Sequence, residues 1–267
     1  MQTIAKARTE LLEMDALASK TSFYHSLHPL AKLLATCLYI LTVVSFPKYD
    51  LPGLVGMVLY PVILFQLADL SPGLCFYRLR VVLPLVCAVG LVNPFLDRRV
   101  LLYLGTVPVT GGLVSMVTLM LKGLFSLMVS FLLVATTSMD ALCAALRKLH
   151  IPAILVSLLL LTYRYISVLL EEAAVMAESY ALRAPNQKGL HISAWGSFLG
   201  QLLLRSMDRA RELYGSMVLR GFHGDFFYAD APRFSRRDRL FCLGTAAFFL
   251  LAKTVSLPAL LGNLIVR

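Results

Sequence analysis

Five uncharged apolar runs constrain this chain more than any other feature: Leu33 to Pro47, Leu51 to Ala68, Val81 to Leu96, Val100 to Leu121 and Gly123 to Met139. A soluble core does not require runs of this length, and a soluble domain seldom combines 58% hydrophobic with 15% charged residues. The pattern predicts an all-α, polytopic integral membrane protein with about five transmembrane helices. A spanning helix needs roughly 20 apolar residues, with about 17 at the lower edge, so flanking lysines must snorkel to complete the shorter ones. We place spans near 30–47, 51–69, 80–96 and 113–135, with a fifth near 239–262 whose Lys253 reaches toward an interface. Gly105 to Gly112, with Pro108 inside, reads as a turn between the third and fourth spans.

Orientation follows from the basic residues, which stay preferentially on the cytoplasmic side in short loops. Residues 138–239 hold 13 of the 25 lysines and arginines, so this segment is expected to be cytoplasmic. Four preceding spans then place the amino terminus inside, together with Arg78 and Arg80, whereas Arg98 and Arg99 fall outside beside Asp97. The chain divides accordingly into an amino-terminal segment with a four-span bundle (1–137), a cytoplasmic domain of long helices (138–238) and a carboxy-terminal span (239–267). The first 28 residues lack the apolar core of a secretory signal, so the first span is expected to direct its own insertion. Five separated cysteines without a CxxC pair read as small buried hydrophobes.

The polar stretch carries the most informative echo. Ser138-Met139-Asp140 caps an amphipathic helix with Leu142, Ala145, Leu146 and Leu149 on one face, and Pro152 separates it from the next. A helical pattern then runs from Ile151 to Arg183: apolar at first, later carrying Glu171, Glu172 and Glu178, and stopped by Pro185. Such a helix can begin in the membrane and emerge from it. After a loop with Asn186 and Gly189, another helix is expected from Ser197 to Arg220, with Gly221 as a left-handed cap. Ala181-Leu182-Arg183-Ala184 and Val218-Leu219-Arg220-Gly221 thus place an arginine in matching last turns. One arginine there interacts favourably with the helix dipole, worth about 0.3–1 kcal/mol. Two in the same context point instead to a pair of equivalent protein contacts, because the guanidinium is a rigid, permanently charged fork for carboxylates or free carbonyls.

Other chemistry is thinly represented. No glycine precedes a lysine, which excludes a GxxxxGK[ST] phosphate loop, so the chain does not hydrolyse nucleotide by that route. His25 and His28 share a helical face but are expected to cap, stack or hydrogen-bond rather than ligate a metal. Lys122, inside an apolar region, is expected to snorkel outward or to pair with another helix. The absence of a mid-span Asp or Glu argues against a self-contained proton-coupled carrier, and a membrane-embedded enzyme lacks a cluster of acid, base and metal ligands.

Gly196-Ser197-Phe198-Leu199-Gly200-Gln201-Leu202-Leu203-Leu204-Arg205-Ser206, continuing through Asp208-Arg209-Ala210 to Met217-Val218-Leu219-Arg220-Gly221-Phe222, resembles the transmembrane T components of energy-coupling factor transporters. The similarity is greatest to their CbiQ-like, cobalt-associated branch. Met14-Asp15-Ala16-Leu17-Ala18 and His28-Pro29-Leu30-Ala31-Lys32-Leu33 share it. The resemblance implies an L-shaped membrane protein whose cytoplasmic helices carry two Ala-Arg-Gly-type motifs, each docking into one of two ABC ATPase subunits. Carried onto this chain, those motifs fall at Ala181, Arg183 and Ala184, and at Leu219, Arg220 and Gly221. The first departs from the pattern by ending in Ala184, and Val218 replaces the alanine of the second. ATP-driven closure of the ATPases would drag these helices and tilt a separate substrate-binding membrane subunit, CbiM-like and accompanied or not by a small CbiN-like subunit. The resemblance makes cobalt the first choice of cargo, nickel the second and a vitamin the third. A lipid bilayer is the surrounding partner; no cofactor, resident metal or nucleic acid is expected.

Overall fold

The computed structural model describes residues 2–96, 100–104, 107–184, 189–224 and 234–254. Pro185, Asn186, Gly105, the Asp97-Arg98-Arg99 group and the 255–262 end of the fifth expected span lie outside these residues. The described chain is helical: α1 (Gln2–Ala18), α2 (Pro29–Ser45), α3 (Leu51–Gly56), α4 (Leu59–Leu67), α5 (Pro72–Leu79), α6 (Leu83–Leu96), α7 (Gly111–Thr136), α8 (Met139–Lys148), α9 (Ala153–Arg183), α10 (Ile192–Leu219) and α11 (Arg236–Thr254). The exception is an antiparallel hairpin, β1 (Val100–Leu104) with β2 (Val107–Thr110), where a plain turn was expected. Val107, Val109 and Thr110 are β-branched and favour extended backbone, which leaves only two residues for the connection.

Among the described residues two helices, α7 and α9, are long and apolar enough to cross a membrane, and α2 and α6 are shorter apolar helices. The expected span over 51–69 is interrupted. Gly56 and Pro61 weaken the helix ladder around the short break between α3 and α4, and α5 turns away at 113° after Asp69. Asp69 adopts φ 51°, and Leu70 N–H reaches the Phe65 carbonyl (3.2 Å) while Asp69 N–H reaches Gln66 (3.3 Å). This is a Schellman closure made without glycine, at a residue whose short polar side chain tolerates the left-handed region. Pro61 has no N–H to give the Met57 carbonyl four residues earlier, and that carbonyl accepts a hydrogen bond from the Tyr39 hydroxyl at 3.0 Å instead.

The chain forms two compact units, residues 1–19 with 138–231 and residues 20–137 with 232–267. In the second, which we call the bundle unit, Tyr39 stacks on Tyr60 (4.9 Å between centroids), and Phe249 of α11 closes on both rings. Helices α6 and α7 meet through glycines. A Cβ built on Gly123 would lie 2.5 Å from a Val86 methyl, and one on Gly90 would lie 3.1 Å from Met120. Asn93 donates to the Ser115 hydroxyl across the same seam (3.1 Å). Lys122 pairs with another helix: its Nζ donates to the carbonyls of Val44 (3.1 Å) and Phe46 (2.5 Å) at the carboxy end of α2. Lys253 donates to Ser45 Oγ beside them (3.0 Å). Both cations therefore sit where the α2 dipole is negative and carbonyls lack helical partners.

In the first unit, the Ser138 hydroxyl caps α8 by accepting from Ala141 N–H (3.4 Å). The end of α8 is closed by His150 at φ 62°, another non-glycine Schellman turn. Cys143, Val156 and Leu160 form a small buried core between α8 and α9. The Tyr163 hydroxyl donates to the Asp15 carboxylate (2.5 Å), which ties α1 to α9.

Candidate functional site: two helix-end arginines

The unit formed by residues 1–19 and 138–231 contains both arginine motifs on one helical hairpin. Helix α10 begins five residues before the expected Ser197, at Ile192, because His191 Nδ1 accepts from Ser193 N–H and supplies the N-cap. Cap recognition usually rests on Ser, Thr, Asp or Asn, so histidine carried no start signal. Helices α9 and α10 run antiparallel. Arg205 of α10 is ion-paired with Glu172 of α9. Toward one end, Arg183 lines a groove of about 270 Å³ with Met176, Tyr180, Leu190, Ala194 and Phe198. Toward the other, Met217 and Tyr214 lie across an apolar groove of about 330 Å³ from Leu158 and Leu161.

This arrangement puts the two arginines at opposite ends of the hairpin. Ala194, beside Arg183, and Arg220 are separated along α10 by about 40 Å, at 1.5 Å rise per residue. At both ends the preceding leucine stands in solvent, Leu182 at 80% and Leu219 at 90% exposure. Each motif therefore offers an apolar knob beside a permanent charge. No residue of α10 is buried, so its apolar positions Trp195, Leu199 and Leu203, spaced four apart, are also available.

The local geometries of the two ends differ. Arg183 is the last residue of α9, with Ala181 in the turn before it; Ala184 follows in a non-helical conformation (φ −129°, ψ 66°), its N–H still bonded to the Tyr180 carbonyl. Arg220 is itself the C-cap of α10. Gly221 adopts φ 81°, Gly221 N–H bonds to Val218 and Phe222 N–H bonds to Met217, each at 3.0 Å, completing a Schellman motif. The alanine that replaces glycine at position 184 thus coincides with the absence of a left-handed turn after Arg183. A Cβ at Gly221 would meet nothing within 4 Å, so any penalty there is purely conformational. Gly221→Ala is expected to cost about 1 kcal/mol of local stability and to raise amide hydrogen exchange over residues 217–222 about fivefold. Unchanged exchange there would show that the left-handed cap does not hold the Arg220 turn.

The histidines serve local structure. His25 Nδ1 bonds to the Ser22 hydroxyl (2.7 Å), and His28 Nδ1 caps α2 by accepting from Leu30 N–H (3.0 Å). Among the described residues, no group of three or more His, Cys, Asp or Glu side chains stands together as a metal cage. Cys75 and Cys143 are buried, Cys87 and Cys242 are half-buried and Cys37 is exposed.

A helical, membrane-embedded chain whose most distinctive exposed features are two arginine-tipped helix ends fits the class of transport-complex membrane components. The family model for cobalt transport protein CbiQ matches residues 20–228, and the chain belongs to that family. It is similar to the cobalt transport protein CbiQ of Rhodobacter capsulatus, 35% identical over 96 residues, which covers 35% of this chain and 38% of that protein. Similarity to the nickel permease LarQ of Lactiplantibacillus plantarum is 31% over 105 residues, 39% of this chain and 38% of that protein. An uncharacterized protein of Methanocaldococcus jannaschii is 26% identical over 135 residues, 49% of this chain and 46% of the other. Each alignment spans less than half of the relative's own length.

Proposed function

We propose that this chain is the non-catalytic membrane coupling subunit of an ATP-driven energy-coupling factor importer. The arginine ends of α9 and α10 lie on the cytoplasmic side of the cell membrane and receive two ABC ATPase subunits, one at Arg183 and one at Arg220. The observation that carries this reading is the pair of exposed Leu-Arg ends separated by about 40 Å along one rigid helix. Two adjacent globular domains of 200–250 residues have centres about 45 Å apart, so one such hairpin can engage the same feature on each of two copies. Movement of the ATPase pair then displaces both ends of the hairpin, and a separate CbiM-like membrane subunit, with or without a small CbiN-like one, captures the cargo.

Cobalt is the first choice of cargo, supported by membership of the cobalt transport family. The similarity to a protein named as a nickel permease supports nickel as the second reading. The test is reconstitution. Liposomes containing this chain alone are expected neither to hydrolyse ATP nor to accumulate radiolabelled cobalt or nickel ions, whereas liposomes also containing the ATPase pair and the capture subunit accumulate one of them on addition of ATP. Ion flux through the chain alone would overturn the reading in favour of a self-sufficient transporter.

A further inference from the structure

The bundle unit contains a buried ionic cluster that the docking ends do not use. Lys32, in the second turn of α2, is 1% exposed. Its ammonium donates to the carbonyls of Thr136 (2.8 Å) and His25 (3.1 Å) and lies 5.4 Å from the centre of the Tyr24 ring. Asp238, in the first turn of α11 and 5% exposed, provides opposing charge and interacts electrostatically with Lys32. Its Oδ1 accepts from His28 N–H (2.9 Å) and its Oδ2 from Ser235 N–H (2.7 Å). The His28 ring lies 5.3 Å from Phe234.

The placement of these partners along the chain is the informative part. The chain passes between its two units three times, after Ser19, after Thr137 and after Ala231. Each crossing has its root in this cluster. The first is held through Tyr24, His25 and His28, the second through the Thr136 carbonyl at the end of α7, and the third through Ser235 at the start of α11. Apolar packing alone would hold three helix ends together at lower desolvation cost, because burying charged groups is expensive unless hydrogen-bond partners are in place for each. A directional set of charge-assisted bonds does something packing does not: it fixes the mutual positions of the three ends.

We propose that Lys32 and Asp238 are positioning residues for transmission, locking the three crossing roots together so that a pull entering through any of them moves α2, α7 and α11 as one body. This rests on the coupling role proposed above. Without the lock, displacement of one crossing is absorbed by slip between helix ends, and ATP is hydrolysed without moving cargo.

The test uses the whole complex, this chain with its ATPase pair and capture subunit in liposomes, and compares wild type with Lys32→Met/Asp238→Asn, which removes both charges together so that neither is left buried alone. The double variant is expected to assemble and hydrolyse ATP within about twofold of wild type, while ions accumulated per ATP hydrolysed fall about tenfold or more. A purely structural role would lower assembled complex, ATP hydrolysis and uptake in proportion, so proportional loss, or failure to assemble, overturns the proposal. If wild type couples uptake to ATP and the double variant does so equally well, this inference alone falls. If the wild-type complex shows no ATP-dependent uptake of either ion, the coupling reading falls and takes the inference with it.

Discussion

Reversing both helix-end charges, Arg183→Glu with Arg220→Glu, is expected to abolish assembly with the ATPase pair and with it all ATP-driven uptake. Each arginine stands in solvent at a helix end beside an exposed leucine, so the fold loses little by the change. The cost therefore falls on the docked state. Truncating one partner of an interfacial charge pair costs 2–5 kcal/mol or more, so each single reversal should weaken ATPase binding by about 30-fold or more. The two ends lie about 40 Å apart along α10 and share no side chain, so their losses should add, giving about a thousandfold for the pair. Lysine at either site keeps the charge but not the fork, and should recover only part of the binding. The measurements are ATPase affinity in detergent and uptake in liposomes, with correct membrane insertion checked by protease accessibility. A correctly inserted double variant that still binds both ATPases and supports full uptake would remove the basis for the proposed function.

What could be read in the chain was mainly where helices end. Ser138, Pro152 and Gly221 each announce a boundary through capping or a missing donor, and the structure puts α8, α9 and α10 against them. Boundaries made by unusual residues were not legible. His191 begins α10 through its ring nitrogen, and Asp69 and His150 close helices in a left-handed conformation that sequence pattern assigns to glycine. Hydropathy alone also did not show the short break between α3 and α4, because an apolar run reads the same whether or not its helix ladder is continuous. For the candidate site, the position of each arginine at a helix end was visible, but the antiparallel pairing that sends the two to opposite ends was not. That pairing depends on side chains far apart in sequence, Glu172 with Arg205 and Leu158 across from Met217. Lys122 illustrates the same limit: its solitary charge was obvious, whereas its two carbonyl partners on α2 were not.

Placing a methyl group at Gly123 should loosen the bundle unit more than its size suggests. Helices inside a membrane gain little from the hydrophobic effect when they meet, since lipid is as apolar as their side chains, and close van der Waals contact carries the association. At the α6–α7 seam that contact is made by Val86 seated against the bare backbone of Gly123, with Met120 seated against Gly90 on the same pair of helices. An alanine Cβ at position 123 would lie 2.5 Å from the Val86 methyl, nearer than side chains tolerate, so either Val86 leaves its rotamer or the helices part. The expected cost of Gly123→Ala is about 1–3 kcal/mol, read as an earlier unfolding midpoint in a detergent titration. Val86→Ala alone removes packing and should also destabilise the unit, by about 1 kcal/mol. Together the two changes leave one alanine on each helix and remove the Val86 methyl that the new Cβ would strike, so the double variant should be more stable than Gly123→Ala alone. That reversal of sign distinguishes a steric seam from a general intolerance of substitution. If the two losses simply add, Gly123 and Val86 are not in contact, and the α6–α7 seam is held by other residues.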